Sequence, residues 1–277
     1  MGGYIFLRCT SGICDSIVML EMLTPYAQKY DRTIIWDLML YTASDLDSIF
    51  DFSNYPVKVL CGTKHVNDIL FSRIEPTCFG NNVYASPIYC GSTKFSINGE
   101  LAQFDRSKDF PSSVLLIYYG GCGGWITMDN IRFNKKLINE YYSKLKLLPE
   151  KFVAIHLRAT DFPGYNEEED IAKVDKFVEK HPDIPTYLAS DNIKLIEKLC
   201  EKHKQLVKPF SYRKIDYKYR SLHHTFGNIE PDCVTNALID ILMCASADDF
   251  LQSRGGFSRF INTLYCNKKL LNILLQQ

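Results

Sequence analysis

Three short polar clusters in the carboxyl half of the chain each sit at the end of an apolar run. His156, Arg158 and Asp161 lie in or just after Phe152 to Leu157. Ser190 and Asp191 follow Thr186 to Ala189, and the stretch Ser253 to Ser258, SRGGFS, follows Asp249 to Gln252. A guanidinium, hydroxyls and the amide N–H groups of a Gly-Gly turn opening a helix are the ingredients that hold a diphosphate. If the three apolar runs are strands of one sheet, all three clusters fall on one rim, and a nucleotide is the natural ligand. Each cluster also has a plainer reading. Arg158 can serve a structural ion pair, Ser190-Asp191 can cap the next helix, and SRGGFS can be a tight turn with a helix cap. The combination favours the site.

The elements that must position these residues alternate between strand and helix. In the amino half, Tyr4 to Cys9 reads as a strand and Thr10 to Gly12 as a turn. Asp15 to Tyr30 reads as an amphipathic helix bent at Pro25. Thr33 to Trp36, Val57 to Leu60 and Val114 to Tyr119 are further short apolar runs, with an irregular middle between Arg73 and Pro111. Asn130 to Leu147 is helical, and LLPEKF after it is a crossing between halves. The carboxyl half then reads strand 152–157, helix 170–180, strand 186–189, helix 192–203, helix 233–247, strand 249–252 and helix 257–266. Two α/β halves of similar length imply a cleft, since open α/β sheets bind ligands at the carboxyl ends of their strands.

Bulk composition sets the class. The 277 residues are 46% hydrophobic and 23% charged, enough for one large or two modest domains with real cores. Lys plus Arg balances Asp plus Glu at 32 each, so no overall field attracts nucleic acid or an acidic membrane. Ten cysteines carry neither a CxxC pair nor metal spacing with histidine, which points to buried thiols in a reducing compartment. Arg8 and Asp15 interrupt any signal-type apolar core, and no stretch is long enough for a membrane span. A cytoplasmic protein is expected.

These residues also resemble a family. HLRATD resembles the HxRRxD segment of the α-1,6-fucosyltransferase and nodulation fucosyltransferase group. YLASDN is similar to its next strand and acidic turn, and ALIDILMCASADDFLQSRGGFSRF to its third motif. RCTSGICDSIVMLEMLTPYAQKYDRTIIWD resembles the opening strand, helix and strand of related GT-B enzymes. The resemblance leaves residues 38–110 unaccounted for. It implies an α/β GT-B fold, two Rossmann-like halves facing a central cleft, with residues 1–148 on the acceptor side and 149–277 binding a nucleotide sugar. It further implies a GDP-sugar donor, most simply GDP-fucose, inversion at the sugar carbon, an oligosaccharide or glycoprotein glycan acceptor, and no metal or other cofactor. Carried over by motif, Arg158 meets the β-phosphate, His156 and Asp240 recognise the guanine and its surroundings, and Asp191 is the acidic turn. Ser190 and Ser253 flank the site, and Gly255, Gly256, Phe257 and Ser258 form the phosphate-side turn. The chain departs where Ala159 replaces a second arginine, which opens another donor, such as a UDP-xylose-type pentose donor, or a non-catalytic nucleotide-sugar or glycan-binding module.

Inverting transfer needs stabilisation of the departing diphosphate, a role for Arg158 and the glycine turn. It also usually needs a base for the acceptor hydroxyl, for which Asp161, Glu167 and Asp15 are candidates. Asn166 falls at the spacing of the family's catalytic carboxylate, with Glu167 one residue beyond. The acidic run 167–170 also reads as a helix start favoured by the macrodipole. Asp45-x-Asp47, the pattern that holds a cation in metal-dependent transferases, reads instead as a capped helix start. GGCGGW at 120–125 lacks dinucleotide-binding spacing, and His223-His224 has no partner acid at recognisable spacing. Phe162, Tyr165 and Trp125 are candidates for stacking on sugar faces.

Overall fold

The computed structural model describes residues 2–85, 88–89, 94–97, 99–103, 105–120, 128–159, 165–210 and 230–276. The chain divides into two compact units, Met1–Arg132 and Phe133–Gln277. Residues 133–148, expected to close the first half, therefore belong to the second. The reason is local: helix α2 (Lys135–Leu145) buries Leu137, Ile138 and Tyr141, and the Tyr141 hydroxyl lies 2.6 Å from that of Ser246, late in the second unit.

The first unit is built on a five-stranded sheet in the order β3-β2-β1-β8-β4, comprising Val59–Cys61, Thr33–Leu38, Tyr4–Cys9, Val114–Gly120 and Arg73–Glu75. All its pairs are parallel. Parallel strands are covered on both faces, so they appear in sequence as unbroken apolar runs rather than alternating ones; every residue of β8 is buried. Helix α1 (Ile13–Lys29) follows β1 without interruption at Pro25, although the proline withdraws the donor that the Glu21 carbonyl would otherwise use. Glu21 is buried, and its carboxylate accepts from the backbone of Asn130 and Ile131 and from the Asn130 side chain. The middle expected to be irregular contains β4 and a small antiparallel sheet of β5 (Ile88–Tyr89), β6 (Lys94–Ile97) and β7 (Glu100–Gln103).

The second unit has a four-stranded parallel sheet, β11-β10-β9-β12, comprising Leu206–Val207, Thr186–Ser190, Val153–Leu157 and Phe250–Leu251. Around it lie α2, α3 (Glu167–Lys180), α4 (Ile193–Lys202), α5 (Cys233–Ser246), α6 (Gly255–Cys266) and α7 (Lys268–Leu275). Asparagine side chains cap α2, α3, α4 and α7 by accepting from backbone amides in the first turn. α1 and α6 begin at Gly12 and Arg254 with no side-chain cap. α5 likewise begins without a side-chain cap, at Asp232, and of these three helices only α6 follows a strand end where chemistry was expected. No described helix is long and apolar enough to cross a membrane.

Candidate functional site: the carboxyl rim of the second sheet

The three polar clusters do meet at one rim. Arg158 leaves the end of β9, and its Nη1 lies 3.2 Å from Oδ2 of Asp191, just past β10. The other Asp191 oxygen accepts from the Ala159 amide at 2.7 Å. The Ser253 hydroxyl, after β12, accepts from the Arg158 amide at 3.0 Å, and the Ser258 hydroxyl accepts from the Ser253 amide at 2.9 Å. Asn192 completes the clamp: its side-chain amide donates to the Ala159 carbonyl at 3.0 Å while its oxygen caps α4. Three residues from two other strand ends, Asp191, Asn192 and Ser253, thus fix the backbone on which Arg158 stands, and Ser258 holds Ser253 in turn. Sequence reasoning placed Asn192 only at a helix start. Its double use was not legible, because a capping asparagine has a spare amide whether or not anything lies beside it.

Ser190 is a turn residue here, accepting from the Asn192 amide at 3.2 Å. Arg158 keeps 21% of its side-chain surface exposed against 9% for Asp191, so the ion pair is open on the cation's side. Close by in sequence to Ser253, Gly255 has φ +86°, in the left-handed region that favours glycine. With Gly256 and Phe257 it opens α6, a helix start without a side-chain cap. Such a start presents backbone N–H groups and the positive end of the helix dipole to an anion.

Beneath the rim, His156 is buried and stacks on Phe257, the ring centroids 4.8 Å apart at 25°. Burial, with the Arg158 charge second, pushes its pKa down to about 3, so the ring is neutral at pH 7. Among the described residues its buried Nδ1 has no hydrogen-bond partner. Buried polar atoms are nearly always satisfied, so an orphan beside this rim marks it as a candidate ligand contact. Asp240, on α5, is also buried, and its carboxylate accepts a hydrogen bond from the Tyr187 hydroxyl, which itself accepts from the Phe210 amide at 3.0 Å. The contact joins α5 to β10 across 53 positions, a separation that no local pattern discloses.

Glu167 opens α3 and binds Lys198 Nζ at 2.7 Å, an exposed ion pair, while Asn166 is the cap of that helix. Asp15 lies in the first turn of α1, in the other unit. Asp161 lies outside the described residues, as do Phe162, Trp125, Gly121–Gly124 and His223-His224. Tyr165 packs against the apolar cluster around β9 and α3. Asp45 precedes a 3-10 turn, Leu46–Ser48, rather than an α-helix, and its side chain makes no capping bond. Among the described residues no group of three His, Cys, Asp or Glu is arranged to hold a metal.

No protein-family model matches this chain, and no curated protein matches it. Solved structures do, and their class is that of fucosyltransferases: the chain has a fucosyltransferase-like fold. It is similar to the fucosyltransferase NodZ from Bradyrhizobium with a TM-score of 0.62 at 13% identity, over 95% of this chain and 93% of that one. NodZ α-1,6-fucosyltransferase co-crystallised with GDP matches with a TM-score of 0.61 at 14% identity, over 95% and 93% of the two chains. POFUT1 in complex with GDP-fucose matches with a TM-score of 0.55 at 13% identity, over 95% and 94%.

Proposed function

We propose that this protein is an inverting, metal-independent glycosyltransferase of GT-B organisation that moves a sugar, most simply fucose from GDP-fucose, to a glycan acceptor. The observation that carries the reading is the Arg158 rim. A partly exposed guanidinium, pinned by Asp191, Ser253 and Asn192, shares a strand-end surface with the uncapped start of α6, over a buried neutral imidazole with an unpartnered nitrogen. The cation and the helix amides take the charge that develops on a departing diphosphate, the role a metal plays in other transferases. The His156 Nδ1 and the Asp240 carboxylate are the groups for a nucleobase edge, with Tyr187 holding the carboxylate in place. Support from likeness is consistent with this: the similar structures are fucosyltransferases, some bound to GDP or GDP-fucose.

Thermal stabilisation by GDP, UDP and their sugar conjugates, with and without EDTA, tests the reading, because a ligand that binds only the native state raises Tm. The expected result is a chelator-insensitive shift with GDP that Asp240→Asn weakens more than it weakens any UDP shift. A shift confined to UDP overturns the donor, and a shift abolished by EDTA overturns metal independence. No shift with any nucleotide overturns the reading as a whole.

A further inference from the structure

A diphosphate ester carries more than one negative charge at pH 7, whereas the Arg158 guanidinium shares its charge with the Asp191 carboxylate 3.2 Å away. The start of α6 adds only a partial positive charge, about half a unit. The rim therefore calls for a second cation. Position 159, next along from Arg158, does not offer the room for one, because Ala159 is 2% exposed and belongs to the apolar cluster that includes Leu157 and Val174. We propose that Arg254 is that second cation, its guanidinium binding the donor's diphosphate in exchange for the Glu169 carboxylate; the assignment rests on the glycosyltransferase reading above.

Arg254 follows Ser253, whose hydroxyl accepts from the Arg158 amide at 3.0 Å, so one hydrogen bond ties the backbones of the two arginines together. It occupies the N-cap position of α6 and breaks two local rules there. Asparagine fills the same position on α2, α3, α4 and α7, where its oxygen accepts from first-turn amides; a guanidinium has no acceptor and caps nothing. A cation at a helix N-terminus also faces the positive end of the dipole, which lowers stability. Both penalties are offset when an anion lies between the guanidinium and the first-turn amides. His156 is an independent sign of a ligand at this helix start. It is 4% exposed and stacks on Phe257, near the start of α6, at 4.8 Å, and among the described residues its Nδ1 has no hydrogen-bond partner.

Glu169 is arranged to give way. Its Oε1 lies 3.5 Å from Arg254 Nη2 but 2.6 Å from Lys173 Nζ, one turn along α3. Lys173 is the main cause that holds the Glu169 carboxyl below its ordinary value, and Arg254 is the least. The Arg254 and Glu169 side chains are 41% and 48% exposed, so their pair is a weak one. When Arg254 turns to a phosphate, Glu169 keeps Lys173, and a long carboxylate contact is replaced by charge-assisted guanidinium–phosphate hydrogen bonds.

The test is calorimetric titration of the full chain and three variants with GDP, UDP and inorganic pyrophosphate, beside Tm without added ligand. Arg254→Asn should weaken GDP and pyrophosphate about tenfold or more, the scale of a hydrogen bond to a charged group. Its Tm should nevertheless equal or exceed the wild type's, because asparagine supplies the cap that α6 lacks. Arg254→Lys restores the charge and should bind both ligands more tightly than Arg254→Asn. Glu169→Gln removes the competing charge and should tighten both about two- to five-fold, the scale of an exposed ion pair. Wild-type affinity in Arg254→Asn, a Tm that falls with that substitution, Arg254→Lys no tighter than Arg254→Asn, or Glu169→Gln that binds no more tightly than the wild type would each overturn the assignment. GDP binding indifferent to Arg254 sinks this proposal and leaves the donor reading standing. Arg254-dependent binding of pyrophosphate or UDP without GDP binding supports the contact and overturns the GDP donor, and no binding of any of the three sinks both.

Discussion

Each unit carries an Arg–Asp pair near the carboxyl end of its parallel sheet, and the two pairs are finished differently. In the first, Arg8 on β1 stands directly opposite Asp37 on β2, both side chains 6% exposed. The Arg8 guanidinium is filled on its remaining sides: Nη1 donates to the carbonyls of Val83 at 3.3 Å and Ala85 at 2.8 Å, and the rings of Phe6, Tyr84 and Tyr119 lie within 6.0 Å. In the second, Arg158 and Asp191 lie past the strand ends, and the backbone at Arg158 and Ala159 is bonded by Ser253, Asp191 and Asn192. The same two side chains therefore serve opposite ends. One cation holds residues 83–85 against the sheet, while the other keeps 21% of its side-chain surface exposed against 6% for Arg8.

The largest effects should come from exchanging those roles by deletion. Arg8→Ala strands a buried Asp37 carboxylate and should cost about 3–5 kcal/mol of stability, read as a large fall in the urea midpoint. Replacing both partners, as in Arg8→Met with Asp37→Leu, should recover much of that loss, because no buried charge is left unpaired. Arg158→Ala should cost only about 1 kcal/mol or less, the scale of a partly exposed ion pair. It should nevertheless lower sugar transfer on the order of a hundred- to a thousand-fold, the scale for losing one donor to a developing anion. If Arg158→Ala unfolds the protein, or transfers sugar as well as the wild type, the contrast between a structural and a functional arginine collapses.

How much of this was legible in sequence follows from which signals are local. β1, β2, β8, β9 and β10 were readable because strands buried on both faces leave continuous apolar runs. SRGGFS was readable as the turn that opens a helix, because a glycine pair ahead of an apolar helical run marks a turn; α6 begins at Gly255. The antiparallel sheet β5–β7 was not, since its strands span only two to four residues, and KFSI and ELAQ resemble loop sequence as much as strand. The α-helix expected at Asp45 failed because an N-cap residue type was taken for a cap. Asp37 was passed over because a lone aspartate within a strand has no neighbour in sequence to mark it, and Arg8 lies 29 positions away. The bonds that make each site are between strand ends, and sequence spacing carries little of that information.

A second, smaller contrast concerns the groups beneath the rim. His156 titrates at about 3 in the fold against 6.5 for an ordinary histidine, because burial and Arg158 oppose its charge. The unfolded chain therefore binds the extra proton first. The His156 contribution is complete above about pH 6.5 and declines as pH falls toward 3, by roughly 1.4 kcal/mol per pH unit inside that window. His156→Phe, which preserves a ring against Phe257, should flatten the pH dependence of stability between pH 4 and 6 and weaken nucleotide binding. An unchanged slope would mean that the imidazole is not kept neutral by its site. Unchanged nucleotide affinity would remove Nδ1 from ligand recognition.

The smallest effects belong to the helix ends remote from any strand-end ligand. α3 closes on Lys180-His181 and α4 on Lys202-His203, and each Lys-His pair holds one carboxylate. Lys180 and His181 contact Asp249 at 2.7 and 2.9 Å, and Lys202 and His203 contact Asp175 at 2.6 and 2.7 Å. Both carboxyls are held below the ordinary aspartate value, chiefly by the lysine hydrogen bonds. A depressed carboxyl stabilises the fold above its unfolded pKa of 3.8 and loses that contribution as pH falls through its lower folded value. Because both clamps are partly exposed, each should be worth only about 0.2–1 kcal/mol. Asp249→Asn should therefore lower Tm slightly at pH 7 and leave it unchanged near pH 2, with no effect on nucleotide binding, because Asp249 precedes β12 while Ser253 and the rim follow its carboxyl end. A pH-independent loss would show instead that Asp249 acts through its backbone-directed oxygen, which accepts from the Phe250 amide at 2.8 Å and shapes the entry to β12.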